Sequence, residues 1–162
     1  VPQAACLSEL MSIKKITSAQ EFAKVCEDLG ELMSEDNEKH QHWFGPISKQ
    51  SMINSWGNPS LLTHSMHTWA NFENGKADAI IMFFDSINTK CGKRMWNEFF
   101  WTSKNPKASF SLLRTALDFA RSKGIEFISV SSYENHPKAS RLREIYKKMG
   151  FKKDSETYIK KL

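Results

Sequence analysis

Residues 93–132, KRMWNEFFWTSKNPKASFSLLRTALDFARSKGIEFISVSS, read as strand, helix and strand. The first part, roughly 93–102, places Trp96, Phe99, Phe100 and Trp101 close together, a composition suited to a pleated, half-buried surface. Asn105 then offers an N-cap, and Pro106 suits the first helical position, where its missing N–H is not needed. Phe110, Leu113, Leu117 and Ala120 form one stripe until Gly124 ends the helix. A strand at 126–132 follows at once. Connections this short imply a crossover, so a parallel strand pair is expected here.

Upstream, runs at 67–73 and 77–86 flank Asn74-Gly75, the strongest short hairpin signal. A second turn, 88–92, leads into the strand at 93, completing an antiparallel meander. Further back, Ser18 and Glu21 form a capping box, and Phe22, Val25, Cys26 and Leu29 recur at helical spacing, predicting a strand at 13–17 and a helix at 19–33. Periodicity is lost from 34 to 60, which reads as irregular with one short helix and is long for a loop. Downstream, a helix is expected after Asn135, with Pro137 in its first turn, Ala139, Leu142, Ile145, Tyr146 and Met149 aligned, and Gly150 as its stop. The tail from Phe151 alternates loosely and is expected to return as a strand or hairpin. The fold class is therefore α/β with a mixed, mostly antiparallel sheet, one parallel pair and helices on both faces.

The chain has 162 residues, of which 40% are hydrophobic and 25% charged, which suits one domain with a real core and excludes disordered or collagenous classes. The longest apolar run, Ala79 to Phe84, is far below the roughly 18 residues a membrane span needs. Residues 1–10 lack the pattern of a secretory leader and are expected to be an extension or cloning scar before a single domain at 11–162, with a cytoplasmic address. Three widely spaced cysteines, Cys6, Cys26 and Cys91, argue for free thiols. His40-x-His42 and His64-x-x-His67 lack the third and fourth ligands a zinc site needs, so no metal is expected. Net charge is +5, with an acidic segment at 21–38 and a basic end at 138–161, the pattern of a protein that takes an anionic ligand or simply of a solvated surface.

This order of elements resembles the GNAT superfamily of acyl-CoA N-acyltransferases. The likeness spans 11–162 in outline, and its best local support is the run from Tyr133-Glu134-Asn135 to Tyr146-Lys147-Lys148-Met149-Gly150-Phe151, similar to the family's closing helix. The resemblance implies transfer of an acetyl group from acetyl-CoA to a small-molecule or peptide amine by direct transfer in a ternary complex; Cys91, in the expected turn before the fourth strand, is given no nucleophilic role. It implies Tyr146 as the acid that protonates the departing thiolate, a phenol of pKa about 10 donating to a thiolate of about 8.5. It implies Glu98 as the base on the fourth strand, where alternation groups it with Trp96 and Phe100.

For the cofactor, the resemblance implies Phe100, Trp101 and Thr102 on the fourth strand, Lys104, Lys107, Ala108 and Ser109 in the phosphate loop, and Asn135. The family's loop carries Arg or Gln and then two small residues; here Lys104 takes the first position, while Lys107 and Ser109 take the other two. Asn105 as an N-cap competes with a diphosphate for the same N–H groups. Trp43, Phe44 and Trp56 read either as an acceptor pocket or as core plugs. Two other functions stay open: an inactive module of this fold that serves in assembly, and a basic nucleic-acid binder stacking bases on Trp69 and Phe72. The oligomeric state, a homodimer included, is not encoded in any pattern here.

Overall fold

The computed structural model describes residues 11–40, 48–132, 137–156, 158, 160 and 162. Strand β1 (Met11–Ile16) leads into α1 (Ala19–His40), followed by α2 (Lys49–Trp56) and α3 (Pro59–His64). The meander is β2 (Met66–Glu73), β3 (Lys76–Asn88) and β4 (Lys93–Ser103); then come α4 (Pro106–Ser122), β5 (Phe127–Ser129) and α5 (Ala139–Lys148). The five strands lie in the order β1-β2-β3-β4-β5, with the first three pairs antiparallel and β4/β5 parallel.

Two apolar clusters sandwich the sheet. On one face Phe22, Val25, Leu29 and Met33 of α1 pack with Met52 of α2 on Ile80, Met82 and Phe100. On the other, Leu112, Leu113 and Ala116 of α4 and Tyr146 of α5 pack on Trp69, Ile81, Phe83 and Trp96. Helices therefore cover both faces, as expected. No helix among the described residues is long and apolar enough to cross a membrane.

Helix α1 starts as expected, with Glu21 N–H donating to Ser18 Oγ at 3.2 Å. It runs seven residues past the expected end, because 34–40 contains no Gly or Pro and a helix needs an apolar stripe only where it is packed; Met33 is the last buried residue of the stripe. The segment expected to be irregular instead carries two helices. Ser48 caps α2 by accepting from Ser51 N–H at 3.1 Å, and Asn58 caps α3 by accepting from Ser60 N–H at 2.9 Å. His42, Trp43 and Phe44 lie outside the described residues, as does the side chain of His40.

Three corrections fall at the C-terminal end. The last strand is Phe127–Ser129 only, shorter than 126–132, because its partner bends away. The tail at 151–156 forms no strand: Phe151 N–H closes on Tyr146 O at 2.9 Å, and the next five residues are polar and exposed, giving no apolar face to pair. Pro137 also sits ahead of α5, which begins at Ala139 with Lys138 at the cap.

The β2–β3 turn holds Asn74 at φ 52° and Gly75 at φ 76°, the left-handed pair that matches strand twist in a two-residue hairpin. Space around Gly75 is open, so Gly75→Ala suffers only backbone strain. It is expected to cost about 1 kcal/mol, read as a fall in melting temperature of roughly 2–4 °C.

Candidate active site

Strands β4 and β5 pair at Met95–Phe127, Trp96–Ile128 and Asn97–Ser129, and there the pairing stops while β4 continues to Ser103. The cause lies two residues on. Met82 of β3 faces Phe100 and Phe83 faces Glu98, which leaves Phe99 without a cross-strand partner. Such a bulge bends the strand that carries it. Asn97 pins the last paired position, accepting from Ser129 Oγ at 2.7 Å and donating to Ser86 Oγ at 2.8 Å. Beyond it the strands part, and among the described residues no strand lies beside the outer edge of β4.

The bulge also breaks the alternation. Trp96 lies in the α4-side cluster and Phe100 in the α1-side cluster, so the expected grouping of Glu98 with both is corrected. A cleft of about 380 Å³ fills the gap between the end of β4, the start of α4, Ser131 and Ser132, and α5.

Glu98 and Tyr146 meet in this cleft on a single residue. Ser131 N–H donates to Glu98 Oε2 at 2.8 Å, and Tyr146 OH donates to Ser131 O at 3.0 Å. Burial pushes the Glu98 carboxyl up to about 7, against a smaller opposing pull from the Ser131 N–H. Tyr146 is buried, its ring tilted against Trp101 at 6.3 Å, and Trp101 meets Phe110 edge-on at 5.8 Å. These rings form the apolar wall. On the α1 side, Thr102 Oγ1 donates to the carboxylate of Asp36, which also lines the cleft. Sequence reasoning did not reach Asp36, because it lies beyond the expected end of α1; its only signal was membership of the acidic segment.

Of the expected cofactor residues, Phe100, Trp101, Thr102 and Ser109 line the cleft, and Lys104, Lys107 and Ala108 do not. Lys104 Nζ reaches the Asp28 carbonyl at 3.4 Å, toward α1, and Ala108 is fully buried. Asn135 lies outside the described residues. Asn105 Oδ1 accepts from Lys107 N–H at 3.1 Å and Ala108 N–H at 3.5 Å, so the cap expected from sequence is made. Lys138 and Arg141, not singled out from sequence for this role, also line the cleft.

The remaining candidates go elsewhere. Trp56 packs on Phe99 at 5.0 Å and Phe100 at 5.5 Å, a plug beside the α1-side core. His67 stacks on Trp96 at 4.1 Å and lies 3.3 Å from Asp85 Oδ2; among the described residues no three His, Cys, Asp or Glu side chains gather. Trp69 is buried at 3% exposure, which corrects its assignment as a base-stacking surface; Phe72 is half-buried against the α1-side core. Cys26 is buried and its thiol pushed up to about 12, while Cys91 is exposed in the β3–β4 turn.

No family model and no curated protein matches the sequence. Solved structures do match. The chain is similar to an aminoglycoside acetyltransferase from an uncultured soil metagenomic sample, at 11% identity and TM-score 0.67, with 94% of this chain and 98% of that one covered. It is similar to a ribosomal-protein-alanine N-acetyltransferase from Brucella melitensis biovar Abortus 2308, at 10% identity and TM-score 0.67, covering 95% and 100%. It is also similar to an aminoglycoside N-acetyltransferase in complex with CoA, at 11% identity and TM-score 0.63, covering 94% of each chain. Nearly full coverage of both partners at these TM-scores means that this chain has the fold of these acetyltransferases.

Proposed function

We propose that the protein is an N-acyltransferase that moves an acetyl group from acetyl-CoA to an amine by direct transfer in a ternary complex. The observation that carries this reading is the meeting of Glu98 and Tyr146 on Ser131 where β4 and β5 part. A half-buried carboxyl pushed up to about 7 and a phenol in one cleft are a base and an acid within reach of one reacting centre.

When bound, acetyl-CoA supplies an acyl group already activated toward amines. Its amide-bearing arm fits the open edge of β4 and the Trp101–Phe110 wall; the start of α4 fits its diphosphate poorly, since Asn105 already holds the amides there. Glu98 takes the proton that an alkylammonium must lose. From a carboxylate at its ordinary value to an amine near pKa 10 the gap is about six units; raising Glu98 to about 7 halves it. The Tyr146 hydroxyl gives its proton to the leaving sulfur, releasing the Ser131 carbonyl to do so. A backbone N–H on the open β4 edge, near Phe100 to Thr102, stabilises the developing oxyanion. The amine belongs to a small molecule or a peptide; the similar structures include an aminoglycoside acetyltransferase and a ribosomal-protein-alanine N-acetyltransferase. Free thiols at Cys26 and Cys91 suit a cytoplasmic setting.

A second reading, an assembly module that has lost the cofactor, is favoured by the self-capped start of α4. Thermal melting separates the two. Acetyl-CoA at 100 times its Kd adds about 2.7 kcal/mol, a rise of roughly 5–10 °C for a domain of this size. No rise at millimolar acetyl-CoA overturns the transferase reading.

A further inference from the structure

We propose that Asn105 occupies the anion cradle of α4 as a built-in ligand, and that the cleft takes a diphosphate instead against Lys138 and Arg141 at the start of α5. The first half stands on the hydrogen bonds alone; the assignment of that diphosphate to acyl-CoA rests on the proposed function. A helix start binds phosphate only through amides that lack partners. Here Pro106 has no N–H, Lys107 and Ala108 donate to Asn105 Oδ1, and Ser109 N–H donates to Asn105 O at 3.0 Å. Every amide of the first turn is already engaged.

The side chain that seals them is itself held. Asn105 N–H donates to Ser103 Oγ at 2.8 Å, and Asn105 Nδ2 donates to Asp78 Oδ2 at 3.4 Å. Asp78 is buried and accepts at Oδ1 from the buried Asn71 Nδ2 at 2.7 Å. An anion displacing Asn105 would therefore lose the cap and meet the Asp78 carboxylate, a like charge in a poorly screened place. The nearby cations do not offset this: Lys104 reaches toward α1, and Lys107 stands outside the cleft. Across the cleft, Lys138 and Arg141 sit one turn apart, and Arg141 brings the planar fork that suits phosphate oxygens.

The test is amide-resolved NMR of the full chain titrated with CoA and, separately, with inorganic pyrophosphate. The expected result is that both probes move the signals of Lys138 to Arg141 and leave those of Lys107 to Ser109 in place. Lys138→Ala combined with Arg141→Ala should weaken CoA binding at least ten-fold. Movement of Lys107 to Ser109 in the unmodified protein, or CoA binding by the Lys138→Ala/Arg141→Ala variant that stays within two-fold, overturns the proposal, as does pyrophosphate that moves nothing. If pyrophosphate moves the α5 signals while CoA moves none, the anion site stands and the transferase reading falls.

Discussion

Glu98→Gln is expected to lower kcat/KM for the amine by about 10²–10³-fold, within the usual contribution of a positioned base. In the unmodified protein the rate should climb with pH through about 7, as the carboxyl that burial holds protonated gives up its proton. The acceptor amine titrates near 10, so its own ionisation gives a separate, later limb. In the glutamine variant the limb near 7 should vanish. A limb that survives the substitution would remove Glu98 from the chemistry.

The same carboxyl makes a second, opposite prediction for stability. Its folded pKa of about 7 lies above the ordinary 4.5 of an unfolded chain, so between these values the folded state binds more protons. Stability therefore falls as pH rises through this window, and the full cost is present above 7. Glutamine keeps a carbonyl to accept from Ser131 N–H and has no charge to bury. The variant should be more stable than the unmodified protein by roughly 2–3 kcal/mol at pH 8 and nearly equal at pH 4.5, measured by urea unfolding. Lost activity with gained stability is the signature of a group retained for function.

Local signals carried most of the fold. Asn74-Gly75, Asn105-Pro106 and Gly150 act within a few residues of themselves, and each lies where the structure uses it. The bulge at Phe99 did not announce itself, because two adjacent phenylalanines carry no glycine or polar break, and the choice of which one loses its partner is made by β3. Alternation through Glu98 failed for that reason. Ser131 was equally hidden. It works through its peptide N–H and C=O, which any residue has, and only the folded chain brings Glu98 and Tyr146 to it. Side-chain direction was hidden as well: Lys104 takes the first position of the expected phosphate loop in sequence and reaches away from the cleft in space.

Tyr146→Phe is expected to lower kcat by about 10²-fold with little change in the Kd for CoA, because the ring that packs on Trp101 stays and only the proton donor goes. The stripe of α5 explains why position 146 is apolar and buried, but phenylalanine would serve that packing equally well. What the hydroxyl adds is its 3.0 Å bond to Ser131 O. If that bond were the residue's whole purpose, the variant would melt lower by the worth of one hydrogen bond, about 1 kcal/mol, and turn over at the normal rate. If the hydroxyl serves as acid, kcat falls and the loss shrinks for an acyl donor whose leaving thiol is more acidic, since such a thiolate departs without needing the proton. Comparing the two proteins on acyl donors of different thiol acidity separates these roles. An equal loss on every donor would leave Tyr146 as a positioning residue for Ser131 and, through it, for Glu98.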